Sequence, residues 1–216
     1  MAHGGSPVWE ASVKNAITPL SAKYTVEIAF GMADPMTLQD GINKLEKLGV
    51  TTIVIVPLFI SSHSPILRQA EYLLGIRKVL ADEPLIMNHG GSSGTTGTNG
   101  NHAHGNSAEK YSGEEQTSPT IDPVVFHAKI ILTHPLDADS LVAQTLYENI
   151  LLYSKTPESE TLILVAHGPN SEEDNKGWLH NLDSLAKQIQ VKKMNETGKV
   201  YKKILFSTVR DDADKK

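Results

Sequence analysis

Residues 49–75, reading GVTTIVIVPLFISSHSPILRQAEYLLG, hold the run that most limits what this chain can fold into. Thr51 to Leu58 is a nearly unbroken series of apolar and β-branched side chains without polar alternation, the pattern of a central parallel strand covered on both faces. Pro57 has no amide hydrogen to give to a ladder, so the strand is expected to end there and to release Phe59 to Ser64 as a loop. Arg68 to Leu74 then reads as a helix closed by Gly75. Ligands of open α/β sheets bind beyond the carboxyl ends of the strands, and this reading puts His63 in that crevice. A histidine that only caps a turn is the other reading of the same position.

The rest of the chain repeats the alternation. A helix is expected from about Trp9 to Leu20, with Val13, Ala16, Ile17 and Leu20 at helical spacing. Tyr24 to Phe30 (YTVEIAF) reads as a second buried strand. Met36 to Leu48 reads as a helix with Leu38, Ile42, Leu45 and Leu48 on one face and Gly49 as its stop. Val124 to Leu132 is a further strand, Leu141 to Leu152 a helix after the Asp139-Ser140 start signal, and Thr161 to Val165 a short buried strand. Strands alternating with helices argue for parallel α/β layers.

Between about 88 and 120 the composition turns Gly-, Ser-, Thr- and Asn-rich with almost no apolar side chains, a tract that cannot offset its ordering entropy by burial. His89, His102 and His104 lie within it. Several imidazoles on a flexible tract can hold a borderline divalent ion loosely, or they can be passengers of a loop expansion.

What composition excludes is as useful. Without cysteine there is no disulfide, thiolate metal site, iron–sulfur cluster or cysteine nucleophile, so any metal must use His, Asp or Glu. The net charge of −5, from 20 basic and 25 acidic residues, forms no basic stripe and argues against nucleic acid as a partner. No apolar run reaches the roughly 18 residues of a membrane span. Lack of cysteine fits cytoplasm and periplasm alike.

Ala2-His3-Gly4 and Ala166-His167-Gly168 read as one feature used twice. Each is followed by a polar turn, a tryptophan (Trp9, Trp178), an amphipathic helix and a Lys/Tyr-led strand. The expected organisation is a first α/β unit over 1–152 that includes the His-rich loop, and the start of a second over 158–216. The second copy has a strand, TLILV, before its His-Gly turn where the first has only Met1, and it stops where the first continues. The chain is therefore expected to be an incomplete two-unit protein, marginally stable or dependent on another chain, with a homo-oligomer one way to meet that need. The cytoplasm is the expected compartment, and the apparently truncated start leaves the periplasm open.

His3 and His63 each follow an expected strand end in one unit, so both can project into one crevice. Two neutral imidazoles can hold a divalent ion with most positions open and accept protons as it leaves. Gly4 and Gly5 would let a flat ligand approach closely. Glu27, the one acid of YTVEIAF, is either at a sheet edge or a proton acceptor and histidine orienter in the same crevice. His127 and His134 read as ordinary strand-end histidines, with a second cleft as their alternative.

The combination AHGGSPVW, VEIAFGMADP, GVTTIVIVPLFISSHS with RQAEYLLG, and TLILVAHGPNSEEDNKGW resembles the sirohydrochlorin cobaltochelatases of the CbiX type, among the class II chelatases. The resemblance implies a chelatase-like α/β fold of two similar units, each with a central parallel sheet flanked by helices, and a lyase that inserts Co2+ into sirohydrochlorin on the route to cobalamin. It implies a tetrapyrrole and a divalent metal as substrates (Co2+, with Ni2+, Fe2+ and Zn2+ as other candidates), with neither ATP nor another nucleotide required. The family's first metal-binding histidine falls on His3. Its second falls most naturally on His63, although the family's spacing after PLF is longer and would land on Pro65. The acid often found after the second strand would fall near Met32, which passes that role to Glu27. A His-rich segment in some relatives favours metal holding by His89, His102 and His104. The alternative function is a divalent metal-binding or metal-delivery protein without chelatase activity.

Overall fold

A computed structural model describes residues 1–80 and 121–210. The tract with His89, His102 and His104 lies outside the described residues. The described chain forms two small parallel sheets, each carrying helices and its own apolar core.

In the first sheet β1 (Thr52–Ile55) pairs in parallel with β2 (Lys129–Leu132), Thr52 opposite Lys129 and Ile55 opposite Leu132. On the far side of β1 the sheet continues through single bridges: Ala2 pairs in parallel with both Leu58 and Phe30. The order across the sheet is therefore Phe30, Ala2, the β1 segment and β2. α2 (Pro35–Lys47) and α3 (Pro65–Leu73) supply Leu38, Ile42, Ala70 and Leu73 to a core completed by Ile53 and Ile55. α2 starts at Asp34, whose carboxylate accepts the Met36 amide, and α3 at Ser64, whose hydroxyl accepts the Ile66 amide; both have proline in the first turn. Gly49 and Gly75 end the two helical regions at φ +78° and +69°, a conformation that favours glycine.

Several expectations change. The central strand is covered on one face only, because Ile53 and Ile55 are buried while Val54 and Val56 are 55% and 49% exposed. Tyr24 to Phe30 is not a buried strand: the segment beside it pairs through Ala2 alone, so only the Phe30 end is held. Val124 to Leu132 shortens to β2 because side chains of α2 take the backbone groups that a neighbouring strand would have taken. The Gln39 amide exchanges two hydrogen bonds with Val125, and the Glu46 carboxylate accepts the amides of His127 and Ala128. Those amides hold the Glu46 carboxyl below its ordinary range, Ala128 foremost. The first helix also starts earlier than expected, as α1 (Pro7–Ile17), and tightens into a 3₁₀ turn at Thr18–Ala22.

In the second sheet β3 (Thr161–His167) runs parallel to β4 (Lys203–Val209), with Thr161 opposite Lys203 and His167 opposite Val209. α4 (Ser140–Leu151) and the long α5 (Glu172–Thr197) cover one face, where Tyr147, Leu164, Leu185, Ile189 and Tyr201 meet. The other face carries Ile163 and Val165, 63% and 60% exposed. Among the described residues no helix is long and apolar enough to cross a membrane.

Candidate functional site

The carboxyl edge of the first sheet carries two of the residues singled out by sequence, His3 and His63. Ala2 is fully buried between its two neighbours: its amide donates to Ala29 O and its carbonyl accepts from Gly31, both at 2.9 Å. The Met1 ammonium donates to Val56 O at 3.0 Å and the Leu58 amide to Met1 O at 2.9 Å. His3 is the next residue out and is exposed. Its Nδ1 lies 2.5 Å from Gly4 O. A carbonyl can only accept, so Nδ1 is the donor, and in the neutral imidazole this leaves Nε2 as the nitrogen with the lone pair, the tautomer in which a histidine serves as a metal ligand.

His63 lies five residues beyond Leu58, the residue that bridges to Ala2. Its amide donates to the Ser61 hydroxyl at 3.1 Å, and the neighbouring Ser62 amide donates to Asp137 Oδ1 at 2.7 Å. Asp137 follows β2, sits at φ +44°, and the same oxygen accepts Asn181 Nδ2 of α5 at 2.9 Å. α5 supplies two more contacts. The indole of Trp178 donates to His63 O at 2.7 Å, and the His63 ring lies against Gly177, where an added Cβ would stand 2.3 Å from the ring. One turn earlier Asp174 holds Arg68 of α3 in a two-pronged ion pair at 2.8 and 2.7 Å. Asp174, Gly177, Trp178 and Asn181 are spaced i, i+3, i+4, i+7, one stripe of the helix.

The first histidine has a similar support. The indole of Trp9 donates to His3 O at 2.9 Å, and its ring lies over Gly5, where a Cβ would come 2.7 Å from it. Gly5 therefore serves the tryptophan. A Cβ at Gly4 would meet only ordinary contacts with Gly31.

Glu27 is not brought to this edge. It lies three residues before Phe30, about 10 Å back along an extended chain, and its carboxylate is 3.9 Å from Lys44 of α2, which also meets Asp40 at 2.8 Å. His134 is exposed beyond β2, His127 is exposed beside Glu46, and His167 ends β3 opposite Val209. Among the described residues no group of three or more His, Asp or Glu side chains is set to hold a metal. A groove of about 760 Å³ runs between α4 and β3, lined by Leu146, Ile150, Tyr153 and Ile163, and does not include His3 or His63.

Sequence reasoning named the two histidines but not what holds them: Asp137, Gly177 and the indole contacts. The recurrence of tryptophan after each His-Gly turn was the available signal, and the partner of Trp178 proves to be His63 in place of His167.

A protein-family model described as CbiX matches residues 2–65, which supports a class II chelatase-like family. No curated protein and no solved structure matches the chain.

Proposed function

We propose that this chain is a chelatase-like lyase that inserts a divalent metal into a tetrapyrrole without ATP, and that its reaction is insertion of Co2+ into sirohydrochlorin on the route to cobalamin. The observation that carries the reading is that the CbiX match spans both His3 and His63, which follow the two segments bridged through Ala2 and Leu58. Metal chelation by a tetrapyrrole is what that family implies.

In this reading the metal substrate is taken up by His3 Nε2 and the His63 imidazole, and the macrocycle lies over the carboxyl edge of the first sheet. Two nitrogen ligands leave most coordination positions to water and to the incoming pyrrole nitrogens, so the ion is held weakly enough to leave. A free macrocycle must lose two N–H protons as it takes up a dication. Each imidazole that the ion leaves regains a lone pair and can accept one of them, passing it to solvent. Glu27, whose carboxylate lies 3.9 Å from Lys44, has no part in this scheme.

The test is anaerobic spectrophotometry of sirohydrochlorin with Co2+, comparing the protein with His3→Ala and His63→Ala. Insertion faster than the uncatalysed rate, reduced to near that rate in either variant, is the expected result. Co2+ binding without any rate enhancement would instead favour a metal-delivery protein. Ni2+, Fe2+ and Zn2+ in the same assay rank the metals.

A further inference from the structure

We infer that the two tryptophans and Gly177 are positioning residues for the two metal-holding histidines, so that α5, which packs with the second sheet, sets how His63 meets the metal. The inference rests on the proposed role of His3 and His63. The chain has two tryptophans, and each donates its indole N–H to the carbonyl of one of these histidines, Trp9 to His3 and Trp178 to His63. Each contact is accompanied by a glycine that makes room for a ring: Gly5 for the indole of Trp9, Gly177 for the imidazole of His63. A carbonyl held by a directed donor fixes the backbone from which the ligand side chain projects, and a ring seated on bare backbone has few rotamers open to it.

The His63 arrangement is the more demanding of the two. The loop is tied at three successive points: Ser61 accepts the His63 amide, Asp137 the Ser62 amide, and Trp178 holds the His63 carbonyl. Asn181 ties Asp137 back to α5, and the Arg68–Asp174 pair fixes α3 against the same stripe. A methyl group at position 177 would occupy the space of the imidazole, which must then turn away. Since alanine is the better helix former, that substitution does not weaken α5 itself, and loss of metal binding can be told from loss of fold.

The tryptophans also serve as reporters. Co2+ has an open shell and quenches a nearby indole, so Trp178→Phe leaves Trp9 to report on His3, and Trp9→Phe leaves Trp178 to report on His63. The experiment titrates the full chain with Co2+ alone, following fluorescence and thermal melting, in the wild type, Gly177→Ala, His63→Ala and the two Trp→Phe variants. The expected result is a Kd for Co2+ raised about tenfold in Gly177→Ala, a similar or larger rise in His63→Ala, and a melting temperature in Gly177→Ala no lower than that of the wild type. Quenching should appear in both single-tryptophan variants, with Kd also raised in Trp178→Phe. Wild-type Co2+ affinity in Gly177→Ala beside weakened affinity in His63→Ala overturns the positioning role and leaves the proposed site standing. Unchanged affinity in His63→Ala overturns both.

Discussion

At the scale of single residues, the backbone is governed here by side chains that reach out to it. Glu160 is the plainest case. Its carboxylate accepts the Ser154 hydroxyl at 2.6 Å and the amides of Thr156 and Lys155 at 2.7 Å, which ties the end of α4 to the start of β3. Those donors, the Ser154 hydroxyl foremost, pull its pKa from the ordinary 4.5 to about 2. Folding thus favours the ionised form, and the contribution is full above pH 4.5 and lost as pH falls toward 2. Glu160→Gln is expected to flatten the rise of melting temperature over that window, as circular dichroism melts at stepped pH would show. An acid limb as steep as that of the wild type would mean that the three donors add nothing specific. Nothing in the sequence marks Glu160: one acid in a polar boundary looks like any other until its partners are placed.

At the scale of elements, α5 has two tasks along one side. Its first turns meet the His63 loop and α3, and the following residues Leu182, Leu185, Ala186 and Ile189 enter the core of the second sheet. The charged contact between α3 and α5 is the Arg68–Asp174 pair, with Asp174 largely buried. Removing one partner of such a pair leaves a poorly solvated charge behind. Asp174→Ala is expected to cost about 2 kcal/mol, a fall in melting temperature of roughly 6 °C for a chain of this size. A melt within a degree or so of the wild type would show that α3 and α5 are held together by apolar contact alone. Helix positions were largely legible because starts and stops are local: Asp139 before Ser140, and the glycines at 49 and 75; α3 begins at Pro65, three residues before the expected Arg68, because Ser64 caps it. Strand extents were not, since a strand needs a neighbour. Glu46 and Gln39 replaced that neighbour along 125–128, and Ala2 alone supplied it beside Phe30.

At the scale of the whole molecule, both sheets leave an apolar face open, with Val54, Val56, Leu58 and Ile131 on the first and Ile163, Val165, Leu205 and Val209 on the second. Faces of this kind bind apolar probes. The native protein is expected to enhance anilinonaphthalene sulfonate fluorescence, and Ile163→Thr with Val165→Thr should lower that signal while leaving the melting temperature nearly unchanged, because threonine suits an exposed strand position. A native protein that leaves the dye dark would show these faces to be covered in solution. The alternation of apolar runs, helix caps and glycine stops determined the α/β class, most helices and the parallel pairing. It also placed His3 and His63 beyond strand ends; helices and turns follow from interactions within a few residues, and parallel pairing from the strand–helix alternation that a crossover connection requires. Only the tertiary structure decided that Glu27 meets Lys44, that the central strand is covered on one face, and that Gly177 and Trp178 support His63. Those contacts join residues far apart in the chain, and their energies depend on packing that no local pattern encodes.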